Sequence, residues 1–377
     1  MAGVAAWYTP ESLTAMTFSE LQSRLQAVRS QYRVTPWIQP REDEGPLLRS
    51  WQRCVAAGMR DHEQVHFELV SRSWLAELDD RCGALVRRAR PEVERLAQAL
   101  RGTGCAVLLF DDRGVVVDRI CHEAAASPAL LTATRVGVNA AERCLGTTAP
   151  GIVLHERLPY LVGRDAHFFA NTRPFFCTAA PIDSPAGEPL AVLDVTCHDH
   201  VPPFDVFSLV MDAAAAIENA AFRPSAYQLV LQFHPRAELL GTALAGLVLV
   251  HEAGRIEGVN RTAARLLGST RAALIGRHFG DLFGRRPGPL FAGARSGPGL
   301  VELETPQGLL VAARFEGGAA SPEAVAPQDE GSLREIEIRT IQAALDAVGG
   351  NVSVAARRLG ISRNTIYRRL RWHGNTR

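Results

Sequence analysis

The sequence predicts a multidomain α+β chain: an antiparallel sheet with flanking helices, a second and smaller α+β unit, and an all-α C-terminal segment. Three observations carry this reading. Short apolar, β-rich runs separated by turn signals occur between Cys105 and Thr196 and again between Leu229 and Phe315. Long helical patterns, Ser73 to Leu100 and Phe204 to Phe222, bracket the first of these blocks. A Gly-, Ala-, Pro- and acid-rich stretch, Gly317 to Gly331, then reads as a flexible linker before an arginine-rich helical tail.

Composition narrows the class. A chain of 377 residues has room for two or three domains, and 47% hydrophobic with 21% charged residues reads as globular and soluble. Nothing approaches the roughly 18 unbroken apolar residues of a membrane helix. Met1 to Pro10 lacks a secretory pattern, so the expectation is a cytoplasmic protein without membrane contact. Seven scattered cysteines without a C-x-x-C pair fit free thiols better than a disulfide framework. The chain contains no lysine, so its 41 basic residues are all arginine. That removes a phosphate-binding P-loop and lysine Schiff-base chemistry, and no motif calls for a cofactor.

The elements follow in order. Glu11 to Arg33 has a helical pattern with a Thr17/Glu20 capping box, and Leu47 to Met59 is a short segment whose Trp51 suits packing. In Ser73 to Leu100, Leu75, Leu78, Cys82, Leu85, Ala89, Val93, Leu96 and Leu100 form a near-heptad seam, serving either this domain or a dimer, and Pro91 predicts a kink or break. Cys105–Phe110 and Val115–Ile120 pair around Asp111–Gly114, and Phe175–Pro181 and Leu190–Thr196 pair around Ser184–Gly187. A short helix, Thr147 to His155, and a strand, Pro159 to Val162, lie between the hairpins. Leu229–Phe233, Gly246–His251, Arg255–Val259, an Asn260-capped helix and the hairpin Leu300–Glu304/Leu309–Phe315 complete the second unit.

Charge concentrates at the end. Asn351 to Arg377 holds seven arginines and no acid, +7 on a chain whose net charge is +1. A basic tail on an acidic body points to a polyanion. Leu333–Val348 ends at Gly349-Gly350, Asn351 caps Val352–Leu359, Gly360 turns the chain, and Ser362 caps Arg363–Trp372: a helix-turn-helix. Arg363, Asn364 and Thr365 fall on the first turn of the last helix, the end that enters a major groove, while Arg368, Arg369 and Arg371 suit phosphates. The expected partner is double-stranded DNA.

The run Gly350 to Leu370 closely resembles the Fis-type DNA-binding domain of bacterial enhancer-binding activators. The resemblance implies a homodimer, with Ser362, Arg363, Thr365 and Arg368 as DNA contacts and Tyr367 standing where the Fis protein has a basic residue. Upstream, Leu145-Gly146-Thr147-Thr148, Ala166-His167-Phe168, Phe176 to Ile182 and Leu190 to Val195 resemble the GAF sensor of acetoin catabolism regulators, and Gly246 to Phe283 resembles a PAS domain. The implied organisation is an N-terminal helical segment (1–70), a GAF-like antiparallel sheet with flanking helices (71–223), a PAS-like α+β domain (224–316), a linker (317–331) and an all-α Fis-type helix-turn-helix (332–377). Two departures stand out. The linker occupies the place of the usual AAA+ ATPase, which leaves DNA occupancy or recruitment of RNA polymerase as the routes of action. Thr148 replaces the family's asparagine.

A GAF-like pocket would bind a small-molecule effector. His167 to Phe176 packs four phenylalanines among polar groups, and His155, Tyr160, His167, Phe168, Phe169, Asn171, Phe175, Phe176, Cys177 and Thr178 are its expected lining. Cys197-His198-Asp199-His200, with Cys121-His122, has metal-ligand types but no standard finger spacing, so no metal is expected there. Asp194 reads as a hydrogen-bonded strand residue and His251-Glu252 lacks a zincin's second histidine. The expected function is a ligand-responsive transcriptional regulator rather than an enzyme. The rivals are a GAF-fold cysteine redox enzyme using Cys121, Cys144 and Cys177, and an architectural DNA-binding protein.

Overall fold

The computed structural model describes residues 45–122, 124, 126–225, 227–284 and 299–317, together with Val352 and Ala356. The N-terminal helix expected at Glu11–Arg33, the linker after Gly317 and nearly all of the helix-turn-helix lie outside the described residues. Val352 and Ala356 are helical and one turn apart, with Ala356 buried.

The first sheet is built from β1 (Ala106–Asp111), β2 (Val116–Cys121), β3 (Tyr160–Gly163), β4 (Phe175–Asp183) and β5 (Pro189–His198), in the order β2-β1-β5-β4-β3. All neighbours are antiparallel. Every residue of β4 is buried, as is the stretch Ala191–Cys197 of β5, so this sheet is covered on both faces. On one face lie α2 (Arg72–Ala99) and α6 (Val206–Asn219). Val93, Leu96, Val210 and Ile217 pack there on Val107, Leu109, Leu193 and Val195. The seam predicted in Ser73–Leu100 is thus used within the chain. Helix α2 continues through Pro91 for 28 residues without the expected break, since tertiary packing on the sheet offsets the one backbone hydrogen bond that proline forfeits.

The opposite face carries α1 (Gly45–Ala56), α3 (Pro128–Ala133), α4 (Glu142–Leu145) and α5 (Ala149–Glu156). In α1, Leu47, Ser50, Trp51 and Cys54 recur at helical spacing and are buried. Trp51 donates its indole N–H to Ala166 O at 3.0 Å and meets Phe168 edge-on at 5.3 Å, confirming its packing role. Thr148 caps α5 by accepting from Gly151 N at 3.1 Å, with Pro150 in the first turn where no N–H is needed.

The second sheet contains β6 (Gln228–His234), β7 (Gly246–His251), β8 (Ile256–Val259), β9 (Leu300–Glu304) and β10 (Leu310–Gly317), ordered β8-β7-β6-β10-β9 and antiparallel throughout. Three short helices, α7 (Arg261–Leu266), α8 (Arg271–Leu274) and α9 (Phe279–Phe283), cover one face around Leu231, Phe233, Phe279 and Phe283. Asn260 caps α7 through Ala263 N at 2.8 Å, as its position before the apolar run predicts.

The two sheets are joined by a buried ionic cluster. Asp183, at the end of β4, pairs with Arg157 and Arg261 and, at 3.0 Å, with Arg271. Arg271 also reaches Glu218 of α6 at 2.6 Å. Burial pushes the Glu218 carboxyl above its ordinary range, and the two arginines draw it back. The Ser184–Gly187 turn presses on β8 so closely that a Cβ on Gly258 would lie 2.7 Å from Pro185 Cβ. Asp183→Ala would strip three arginines of their shared carboxylate. Breaking a fully buried pair costs about 3–5 kcal/mol; discounted for the partial exposure of Arg157 and Arg261, we expect roughly 2–3 kcal/mol. Urea unfolding should then split from one transition into two, and a single unchanged transition would contradict the clasp.

Candidate functional site

A cavity of about 50 Å³ lies between the first sheet and the helices α3 to α5. The pleat decides which residues reach it. Cys177 faces Thr196 across β4–β5, and Phe175 faces His198, so odd positions of β4 and even positions of β5 share this face. Leu108 and Phe110 of β1, Phe175 and Cys177 of β4, Thr196 of β5 and His167 line it, with Phe67, Ala133, Thr134, Ala140, Leu145, Thr148, Pro150 and Thr172 closing the other side. Among the described residues no formally charged side chain lines it.

One wall is polar and connected. His167 is wholly buried, with Nδ1 3.3 Å from Arg164 O and Nε2 3.7 Å from Cys177 Sγ. Thr196 Oγ1 lies 3.2 Å from Cys177 Sγ and 2.6 Å from Asp194 Oδ2. Burial pushes the Asp194 carboxyl up to about 8 and holds the His167 imidazole down at about 4, so both are neutral at pH 7. A protonated Asp194 then starts a one-way chain. Thr196 Oγ1 donates to Asp194 Oδ2 when the carboxyl is ionised; with that oxygen protonated the bond reverses, which frees the Thr196 hydroxyl for Cys177, the Cys177 thiol for Nε2 of His167, and leaves Nδ1–H on the Arg164 carbonyl. Each group spends its single proton once. Among the described residues Asp194 Oδ1 has no hydrogen-bond partner.

The structure brings together three of the ten expected ligand residues, His167, Phe175 and Cys177, at the cavity. Tyr160, Phe168 and Phe169 belong to the surrounding core without lining it. Asn171 is consumed by the Val65 backbone, donating to its carbonyl at 2.8 Å and accepting from its N–H at 3.3 Å. Phe176 and Thr178 alternate onto the opposite face of the sheet, and His155 is half exposed, 3.4 Å from Glu142. Sequence reasoning missed Thr196, Leu108 and Phe110. Alternation along β1 and β5 was legible, but which face would carry a cavity was not. Thr148, the residue standing in for the family's asparagine, lines the cavity yet spends its hydroxyl on the Ala140 carbonyl and the Gly151 N–H.

Cys177 is a poor nucleophile here: burial, aided by Asp194, pushes its thiol well above the usual range. Cys144 is exposed and Cys121 half-buried. The free-thiol expectation needs correction at two positions. Cys105 and Cys197 form a disulfide, because β1 and β5 place them opposite each other with Cα atoms 4.4 Å apart. Their separation of 92 residues hid this from any spacing argument.

A regulatory N-terminal domain joined to a bacterial DNA-binding module is the class that the family comparisons define. Residues 22–219 match the family described as MimR, N-terminal domain, and residues 332–372 match that described as Bacterial regulatory protein, Fis family. The chain belongs to the MimR N-terminal domain family and carries a Fis-type helix-turn-helix at its C-terminal end. It is 31% identical over 252 residues to an acetoin catabolism regulatory protein of Cupriavidus necator, covering 64% of this chain and 38% of that protein. It is 26% identical over 196 residues to a propane 2-monooxygenase operon transcriptional activator of Mycolicibacterium smegmatis, covering 52% of this chain and 32% of that one. The chain thus spans less than two fifths of the length of these relatives. The structure of the E. coli DhaR(N)–DhaL complex is similar at a TM-score of 0.43 and 15% identity, over 73% of this chain and 99% of that one. No described helix is long and apolar enough to cross a membrane.

The polar chain makes stability depend on pH. The Asp194 value stands above the ordinary 3.8 when folded, so the folded sheet holds an extra proton between about pH 4 and 8. That contribution is complete below this window and is lost as pH rises through it. His167 runs the other way, losing stability as pH falls from 6.5 toward 4. Subtracting Asp194→Asn from the wild type isolates the first effect. The difference in unfolding free energy should move against the wild type by about 1.4 kcal/mol per pH unit across the window. A pH-independent difference would refute a neutral Asp194.

Proposed function

We propose that this chain is a ligand-responsive transcriptional regulator that binds operator DNA as a homodimer and reads a small-molecule effector in the first-sheet cavity. The single observation that carries the reading is the Fis-family match over residues 332–372, on the same chain as a sheet enclosing an apolar cavity with one polar wall. In this reading residues 71–223 are a GAF-like sensor whose core includes α1, residues 224–316 are PAS-like, residues 317–331 link, and residues 332–377 dock on DNA. Arg363, Asn364 and Thr365 read base edges, Ser362 and Tyr367 flank them, and Arg368 and Arg369 hold phosphates.

The cavity sets the effector's character. At about 50 Å³ it admits a few heavy atoms rather than a drug-sized ligand, which needs roughly 300 Å³ or more. Its lining offers no ion pair, so the effector is neutral, and Thr196, Cys177 and His167 favour one that carries oxygen. The names of the relatives concern acetoin and propane, small neutral molecules both, which agrees with that size. The protein works in the cytoplasm without a cofactor, and it acts by occupying DNA or contacting RNA polymerase, since a chain without lysine has no P-loop.

The test uses the full chain and a duplex selected by it from random sequence. Two- to four-carbon alcohols, diols and ketones are titrated, and anisotropy reads duplex affinity. We expect at least one of them to shift wild-type affinity, and Thr196→Val and Ala140→Phe to bind the duplex without that shift. Arg363→Ala should lose preference at one base pair, while Arg369→Ala weakens all duplexes alike. A wild type indifferent to every compound would remove the sensing role, and one indifferent to duplex sequence would remove the operator role.

A further inference from the structure

The metal-ligand residue types at Cys197–His200, where the sequence gives no reason to expect a metal, do not come together in sequence order. His198 instead stacks edge-on against Phe175, ring centres 4.8 Å apart, on the cavity side of the sheet. What the fold brings together is Cys105, Cys197 and His200, whose ligand atoms all lie within 4.8 Å of one another. Cys105 immediately precedes β1, and Cys197 is its cross-strand neighbour on β5, both buried on the α2/α6 face. Asp199, in the left-handed region at φ 63°, turns the chain so that His200 comes back over the pair. Its Nε2 stands 4.0 Å from Cys105 Sγ.

His200 Nδ1 lies 2.9 Å from the His198 carbonyl, a group that can only accept. Nδ1 therefore carries the proton and donates it, and Nε2 presents its lone pair toward the two sulfurs. A ring nitrogen tied to a backbone carbonyl while its twin faces thiols is the arrangement that orients metal-ligating histidines. Two sulfurs and one imidazole are donors for a soft or borderline ion, zinc(II) or copper(I), and not for magnesium or calcium.

We propose that reduced Cys105 and Cys197, with His200 Nε2, bind one zinc(II) or copper(I) ion. The disulfide and the ion are mutually exclusive states of the same sulfurs. Reduction by a thiol or phosphine adds two electrons and two protons, breaking the S–S bond. Ion binding then releases the two thiol protons and forms two metal–sulfur bonds and one metal–nitrogen bond. One residue back along β5, Thr196 turns to the other face and into the cavity, so the ion site and the cavity share a strand but no side chain.

The test takes the full chain, reduced with phosphine and freed of metal, and titrates cobalt(II) as a spectroscopic stand-in, followed by zinc(II) competition. We expect one equivalent with thiolate-to-metal charge-transfer absorption, no binding by the oxidised chain, and none by Cys105→Ser/Cys197→Ser. His200→Ala, a change in a partly exposed loop that leaves both thiols in place, should weaken binding by about tenfold or more. Zinc(II) should also shield two cysteines of the reduced wild type from alkylation, a readout independent of whether the serine variant folds. Reduced wild type that binds no better than His200→Ala, or whose thiols alkylate equally with and without zinc(II), would leave a disulfide only and overturn the site.

Discussion

A carboxyl in the central strand of a sheet covered on both faces has no water to turn to. Asp194 is that carboxyl, fully buried between β1 and β4. Ionisation there would carry a desolvation cost that no arginine among its described contacts offsets, so it stays protonated and donates. From that one state follows the direction of the hydrogen-bond chain, while burial itself holds His167 neutral and keeps the Cys177 thiol protonated. The polar wall of the cavity is thereby built wholly from neutral groups. On the proposed sensing role this favours a small oxygen-bearing effector over a charged one, which would meet no counter-ion among the described lining residues.

Strand β4 connects this wall to the rest of the molecule. Phe175 and Cys177 line the cavity at its start, and Asp183 at its end holds the arginines of α7 and α8. It is paired with β5 along all nine residues and with β3 from Phe176 to Ala179, and packed interiors transmit displacement rather than absorb it. The ionic cluster at its end gives the second sheet a reason to move with the first. It is built from arginine, and the chain uses no other strong cation. Arginine's planar fork lets Arg271 hold Asp183, Glu218 and the Ser184 carbonyl together.

Much of the fold was legible in the sequence because its signals are local. The Asp111–Gly114 and Ser184–Gly187 turns, the Asn260 cap and the proline at the start of α5 each declare themselves within a few residues. The seam of α2 was equally plain, but its use was not: a near-heptad reads the same whether it meets a partner chain or the sheet beneath it. The cavity was harder. Strand β4 is apolar at nearly every position, so period-two alternation is absent and cannot say that Cys177 points in while Thr178 points away. His155 looked available as a polar group near the aromatic run, but it sits at the C-terminal end of α5, beside Glu142. The meeting of Cys105 with Cys197 and His200 depends on strand order alone, and no one-dimensional pattern encodes strand order.

The claim on which the rest leans is that Asp194 carries a proton at neutral pH. Carbon-13 NMR of the full chain labelled at aspartate carboxyls, titrated from pH 5 to pH 9 with Asp194→Asn to assign the resonance, measures it directly. The account predicts one carboxyl that keeps the protonated shift through pH 7 and titrates near 8. Ionisation of every aspartate by pH 6 would contradict it, because Thr196 would then spend its proton on Asp194 and the chain toward His167 would be broken.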